Sequence, residues 1–131
     1  MNSKPLKTIL YAEDEEDIRA IAQIALEDIG GFIVRYCADG YELLEAAKDH
    51  VPDLLLLDVM MPKMDGPAVL KELRKRAEYS FIPAIFMTAK IQPGEIAEYQ
   101  SLGAIDVIAK PFDPMGLAQA IQNAWIKHYE K

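Results

Sequence analysis

The chain has 131 residues, of which 51% are hydrophobic and 27% charged, and its formal net charge is −7. This length predicts one domain, and the composition is typical of a soluble globular protein. The negative charge argues against direct nucleic-acid binding, because phosphate backbones need a basic surface. The single cysteine excludes an internal disulfide, and no apolar run approaches the roughly 20 residues that span a bilayer. We therefore expect a cytoplasmic protein without membrane insertion.

Short apolar runs alternate with helical patterns along the chain. The sequence predicts five strands, in TILYA (8–12), FIVRYC (32–37), DLLLLD (53–58), PAIFMT (83–88) and IDVIA (105–109). Such continuous apolar runs are typical of parallel strands buried on both faces. No linker or low-complexity tract interrupts the order, so the prediction is a single domain over 1–131 with its core at about 7–129.

Amphipathic spacing predicts a helix after each strand. The first two have apolar faces formed by Ile18, Ile21, Ala22, Ala25, Leu26 and Ile29, before Gly30-Gly31, and by Leu43, Ala46, Ala47 and His50. The third begins near Pro67 and presents Val69, Leu70 and Leu73. The last two run from about Gly94 to Leu102, with a thin stripe of Ile96 and Tyr99, and from about Pro114, with Leu117, Ala120, Ile121, Ala124 and Trp125. Five alternating units predict an α/β fold with a parallel sheet between two helix layers.

Polar side chains follow four of the predicted strands. Glu13 and Asp14 follow the first strand, Asp58 ends the third, Thr88 the fourth, and Lys110 follows the fifth. Because the carboxyl ends of parallel strands meet at one edge of the sheet, we expect these side chains to form one site.

Three clustered carboxylates repel one another and lose hydration, which favours a hard divalent cation, Mg²⁺ or Mn²⁺. With two carboxylates committed to the cation, Asp58 can attack phosphorus and form an acyl phosphate. Lys110 and Thr88 are the residue types that would contact the transferred oxygens. The four leucines before Asp58 then serve as a rigid, buried support for the nucleophile. The neighbouring Glu16 and Asp17 are explained by the positive end of the first helix.

Four segments resemble the CheY-like receiver domain of two-component response regulators, in this order and spacing. They are ILYAEDEEDIR (9–19), PDLLLLDVMMPKMDG (52–66), IPAIFMTA (82–89) and GAIDVIAKPF (103–112). The resemblance covers nearly the whole chain. It implies a flavodoxin-like three-layer sandwich with strand order 2-1-3-4-5, and transfer of a phosphoryl group from a phosphohistidine to aspartate.

The resemblance also implies how single residues act on the metal and the phosphoryl group. Asp58 is the expected phosphoacceptor, and Asp14 the expected direct Mg²⁺ ligand. Glu13 is expected to act through water, and the backbone carbonyl of Met60 is expected to be a further ligand. The side chains of Met60 and Lys90 stand at positions that tune the hydrolysis rate of the acyl phosphate in the family.

The same comparison assigns the switch residues. Thr88 is expected to follow the phosphoryl group, Lys110 to be its counter-charge, and the bond before Pro111 to be cis. The family usually has tyrosine or phenylalanine three residues before the lysine, whereas this chain has Val107. A valine cannot make the large ring rotation, so we expect the fourth helix to contribute more to switching.

Other functions remain open at this stage. A haloacid-dehalogenase-type phosphatase needs a carboxylate two residues after the nucleophile, where this chain has Met60, and a flavin site needs a phosphate loop where it has EDEED (13–17). A pseudo-receiver that only binds partners is disfavoured by the complete set of polar residues, although Val107 leaves room for it. We expect no separate substrate, and thus no enzyme beyond self-phosphorylation and autodephosphorylation.

The expected upstream partner is a histidine kinase or a histidine phosphotransfer protein, docking near Ile18, Pro111 and Phe112. The downstream protein partner is unknown, and the face of the fourth helix, fifth strand and fifth helix is the expected output or homodimer surface. Because the sequence ends at Lys131, after the fifth helix, we expect a stand-alone regulator. The alternatives are a phosphorelay shuttle receiver and a piece of a larger protein.

Overall fold

One sheet of five parallel strands forms the centre of the computed structural model, which describes residues 4–89 and 92–130. In chain order the strands are β1 (Thr8–Ala12), β2 (Ile33–Cys37), β3 (Leu54–Asp58), β4 (Ala84–Thr88) and β5 (Ala104–Ala109). Their order across the sheet is β2-β1-β3-β4-β5. The five predicted strands, the parallel sheet and the flavodoxin-like order are therefore confirmed.

Helices cover both faces of the sheet. They are α1 (Glu16–Gln23), continued by a π-helical segment (Ile24–Ile29), then α2 (Gly40–Ala46), α3 (Gly66–Leu73), α4 (Pro93–Ser101) and α5 (Leu117–Tyr129), with a 3₁₀ turn at Ala77–Tyr79. In the described part of the chain, no helix has the length and apolarity needed to cross a bilayer.

Strand β3 joins the two halves of the core. Leu54 and Leu56 belong to the cluster formed with α5 and the end of the first helix, whereas Leu55 and Leu57 belong to the cluster formed with α2 and α3. All four leucines are fully buried. Burial of a leucine side chain contributes about 1.5–3 kcal/mol, so this strand is a strong anchor for the residue that ends it.

Two predicted helix faces differ from the structure. Ile21 and Ile29 are each 44% exposed, because the smaller Ala22 and Ala25 bring the helix close to its neighbours and the π-helical turns shift the later spacing. His50 lies beyond α2, because the chain tightens after Ala46 into bonds between residues three apart.

The last helix begins later than the predicted Pro114. The Asp113 side chain accepts a hydrogen bond from the Met115 amide, and its carbonyl accepts one from the Gly116 amide. This turn joins residues three apart, and bonding between residues four apart is seen where the Ala120 amide donates to the Gly116 carbonyl, so α5 begins at Leu117.

Candidate functional site

Three carboxylates meet where β1 and β3 end. Ligand oxygens of Glu13, Asp14 and Asp58 all lie within 4.8 Å of one another. Strands β1 and β3 are neighbours, and Ala12 pairs with Leu57, so the residues that follow them emerge side by side. This is the edge of the sheet where the strand order reverses, the usual ligand position in open α/β folds.

The backbone holds Asp58 firmly in place. Every residue of β3 is buried, and Asp58 itself is only 2% exposed. The Val59 amide donates to the Met87 carbonyl at 2.9 Å, which extends the pairing with β4 past the carboxylate. A Cβ atom at Gly66 would lie 2.5 Å from the Asp58 carbonyl oxygen, so only glycine allows α3 to begin there.

Lys110 bridges two of the three carboxylates. Its ammonium donates to Glu13 Oε1 at 3.0 Å, to Glu13 Oε2 at 3.2 Å and to Asp58 Oδ2 at 3.1 Å. Burial alone would lower the pKa of Lys110, but the hydrogen bonds and charges of Glu13 and Asp58 outweigh it and raise the pKa. The lysine therefore stays charged. Its peptide bond to Pro111 is cis.

One ammonium does not balance this acidic cluster. Burial, and then the neighbouring charge of Glu13, raise the pKa of Asp58, although Lys110 opposes the shift. Asp14 Oδ1 is buried and accepts no hydrogen bond from the described residues. A buried carboxylate oxygen without a donor fits a hard cation such as Mg²⁺, for which Glu13, Asp14 and Asp58 are suitable ligands.

Met60 and Lys90 are the two residues predicted to tune the hydrolysis rate of the acyl phosphate. Met60 lies in the loop after β3, and its side chain is 70% exposed, so it is not part of the core. Lys90 lies outside the described residues.

Thr88 ends β4 one residue after Met87, which pairs with Asp58. Its side chain is buried and interacts with the Tyr99 phenol of α4. The Tyr99 ring packs edge-on against Phe86, with ring centroids 5.4 Å apart. Val107 pairs with the same Phe86 from β5. The aromatic ring beside Thr88 therefore comes from helix α4 and not from strand β5.

Sequence reasoning missed two further supports of Glu13. The Tyr11 hydroxyl donates to Glu13 Oε1 at 3.3 Å, and Arg19 Nη1 donates to the Glu13 carbonyl at 2.7 Å. Alternation along a strand could have indicated the first contact, because residues 11 and 13 lie on the same face. Burial and the charges of Glu13 and Asp58 raise the pKa of the Tyr11 phenol, so it remains a donor.

The predicted docking residues lie close to this edge. Ile18 is half-buried in α1, Pro111 is exposed, and Phe112 is half-buried and packs against the core cluster that contains α5. Pro111 and Phe112 follow Lys110 directly, and Ile18 lies in α1, four residues after Asp14.

Known proteins share this arrangement along most of the chain. A family model described as the response regulator receiver domain matches residues 9–122. The response regulator Rre1 of Synechocystis sp. is 34% identical over 116 residues, which cover 88% of this chain and 50% of that protein. The alkaline phosphatase synthesis transcriptional regulatory protein PhoP of Bacillus subtilis is 41% identical over 108 residues, which cover 82% and 44%.

A solved structure agrees with these sequence matches. The chemotaxis response regulator CheY4 of Vibrio cholerae superposes with a TM-score of 0.84 at 31% identity, over 92% of this chain and 99% of that one. The chain spans about half the length of the curated relatives it matches. By family match, relatives and fold, the chain belongs to the response regulator receiver domains of two-component systems.

Proposed function

We propose that this receiver accepts a phosphoryl group from a phosphohistidine onto Asp58, in a reaction that requires a divalent cation, and so changes its contacts with a partner protein. The observation that carries the proposal is the cluster of three carboxylates around Asp58 with one bridging ammonium. Such an excess of buried negative charge suits a divalent cation better than a structural role, and the cation would in turn offset the charge of an incoming phosphoryl group.

Asp58 is the nucleophile in this proposal. A carboxylate oxygen forms a bond to phosphorus while the bond from phosphorus to the donor imidazole breaks. The electron pair of the broken bond goes to the imidazole nitrogen, which then takes a proton from solvent. The buried strand β3 supports this step because it leaves the nucleophile little freedom to move.

Lys110 and Thr88 are the proposed partners of the transferred oxygens. Lys110 already contacts Asp58 Oδ2 at 3.1 Å, so a phosphoryl group on that residue lies within reach of its ammonium. Asp14, Asp58 and Glu13 (the last through water), with the Met60 carbonyl, are the residues proposed to hold the cation. When bound, Mg²⁺ supplies positive charge against the carboxylates and the phosphoryl oxygens.

We further propose that helix α4 carries the change outward. Thr88 contacts Tyr99 of that helix, and no residue of α4 is fully buried, so few core contacts oppose its displacement. The upstream donor is proposed to be a histidine kinase or a histidine phosphotransfer protein docking near Ile18, Pro111 and Phe112. The domain then acts on no separate substrate: it catalyses its own phosphorylation and dephosphorylation.

Intact mass spectrometry after incubation with acetyl phosphate and Mg²⁺ tests the proposal. We expect wild type to gain one phosphoryl group, and to gain none when EDTA removes the cation. Asp58→Asn should gain none, whereas Asp49→Asn, which changes an exposed carboxylate that pairs with Arg35 and precedes β3, should behave as wild type. A folded wild type without any adduct, with acetyl phosphate or phosphoramidate, would contradict the proposal and favour a pseudo-receiver.

A further inference from the structure

Tyr11 is a fully buried residue of β1 whose hydroxyl contacts the acidic cluster from the protein interior. It donates to Glu13 Oε1 at 3.3 Å, and neither side chain has any exposed surface. A carboxylate without exposed surface depends on the donors buried around it for its position. The position of Glu13 is therefore decided by the few groups that bond to it.

These groups are of two kinds. The Lys110 ammonium, at 3.0 and 3.2 Å from the Glu13 oxygens, is shared with Asp58. The Glu15 amide at 3.2 Å and the Tyr11 phenol belong to Glu13 alone. If Lys110 turns toward a phosphoryl group on Asp58, the second kind of donor still holds the Glu13 carboxylate.

The phenol also differs from Lys110 in charge. A second cationic donor would neutralise Glu13 and weaken the attraction of the cluster for a divalent ion. A neutral hydroxyl orients the carboxylate and leaves its charge in place. Groups that orient a metal-binding side chain in this way strongly influence metal affinity.

We propose that Tyr11 is a positioning residue for cation binding, which holds the Glu13 carboxylate toward the divalent ion independently of Lys110. The inference rests on the part of the proposed function that assigns a cation to Glu13, Asp14 and Asp58. It does not require that Asp58 is phosphorylated.

The test compares Tyr11→Phe with Tyr36→Phe. Tyr36 is a matched control because it pairs with Tyr11 across β1 and β2, and the two rings meet edge-on at 5.8 Å. Its phenol makes no hydrogen bond to the acidic cluster, and its pKa is raised by burial and then by the charges of Glu27 and Asp28. Both substitutions keep the ring and remove one hydroxyl. Calorimetric titration with Mg²⁺ alone measures affinity without any phosphoryl donor, and thermal unfolding checks that each variant is folded.

We expect Tyr11→Phe to raise the Mg²⁺ dissociation constant about tenfold, the lower end of the range for groups that orient metal ligands. Tyr36→Phe should leave it unchanged. With acetyl phosphate, Tyr11→Phe should raise the Mg²⁺ concentration for half-maximal rate and keep the maximal rate within about twofold of wild type. In a Glu13→Gln background, Tyr11→Phe should add no further loss, because the phenol acts through the Glu13 carboxylate.

Several results would overturn the inference. One is a Mg²⁺ affinity that is unchanged in Tyr11→Phe or is weakened equally in Tyr36→Phe. Another is that Tyr11→Phe weakens Mg²⁺ binding by the same factor in the Glu13→Gln background. A third is that wild type does not bind Mg²⁺. Weakened cation binding in Tyr11→Phe together with an unphosphorylated wild type would uphold the inference and overturn only the phosphoryl transfer.

Discussion

Strands β3 and β5 both lead to residues of the candidate site, but the fold buries them very differently. All of β3 is buried, whereas in β5 only Ala104 is buried. The helices that follow β3 and precede β5 differ in the same way, since α3 has four buried residues and α4 has none. The Asp58 carboxylate, the proposed phosphoacceptor, thus stands on a fully buried strand, and the expected output face includes a helix with few core contacts. Regions that change state are generally drawn from the less stable parts of a protein.

The largest expected effect tests this contrast directly. Leu56→Ala should lower the free energy of unfolding by about 3 kcal/mol, because it leaves a cavity where a fully buried side chain was packed. Ile96→Ala on the half-buried face of α4 should lower it by less than about 1 kcal/mol. Urea unfolding of both variants measures the difference. Equal losses would show that α4 is anchored as firmly as β3.

Removal of the bridging ammonium should have the next largest effect. Lys110→Met should lower the free energy of unfolding by about 2 kcal/mol in the absence of divalent cations, because Glu13 and Asp58 lose their shared counter-charge. Lys48→Met removes an exposed lysine paired with Glu45 and should change stability by less than about 0.5 kcal/mol. Urea titrations with and without Mg²⁺ provide the measurement. We expect Mg²⁺ to recover part of the loss only in Lys110→Met.

The pH dependence of the free energy of unfolding should reveal the cost of burying repelling carboxylates in the acidic cluster. Burial and Glu13 raise the pKa of Asp58 above its unfolded value, so between these two values the native state holds more protons than the unfolded state. Without Mg²⁺, stability should therefore fall as pH rises from about 4 toward the raised native pKa, and then level off.

Asp58→Asn should remove this part of the pH dependence and be more stable than wild type at neutral pH by about 1 kcal/mol. Thermal unfolding at several pH values, with EDTA present, measures both proteins. A wild-type curve parallel to that of Asp58→Asn would contradict the raised pKa.

The smallest effect on stability is expected at the contact between β4 and α4. Tyr99→Phe keeps the ring against Phe86 and removes the hydroxyl that meets Thr88, so stability should change by less than about 1 kcal/mol. The amide chemical-shift changes that we expect in α4 on phosphorylation of Asp58 should nevertheless become smaller. Unchanged shifts would mean that α4 responds without this hydroxyl.

Much of the fold could be predicted from sequence because strands buried on both faces are continuous apolar runs. The predicted bounds of β1 match the structure, and those of β3 differ by one residue. The π-helical segment Ile24–Ile29 could not be predicted, because its apolar spacing also fits an ordinary helix. His50 was misplaced for a related reason: periodicity continues past the point where local hydrogen bonds end α2.

Those parts of the candidate site were predictable whose residues directly end or follow a strand. The sequence predicted that Glu13, Asp58 and Lys110 would share one edge, and the structure brings their side chains into contact. The contact between Thr88 and Tyr99 was not predictable, because it depends on how α4 lies across the sheet. Its thin apolar stripe gives little information about that orientation.

Because Gly66 lies close to the Asp58 carbonyl, the two ends of the loop between these residues meet. The Gly66 amide donates to the Val59 carbonyl at 3.0 Å, so the loop returns to the point from which it departs. Met61 and Met64 pack into the core, but Met60, Pro62 and Lys63 are exposed, so exchange of these three would leave both attachment points where they are. The exposed side chains beside Asp58, and with them solvent access to the proposed acyl phosphate, could therefore be varied by design while β3 stays unchanged.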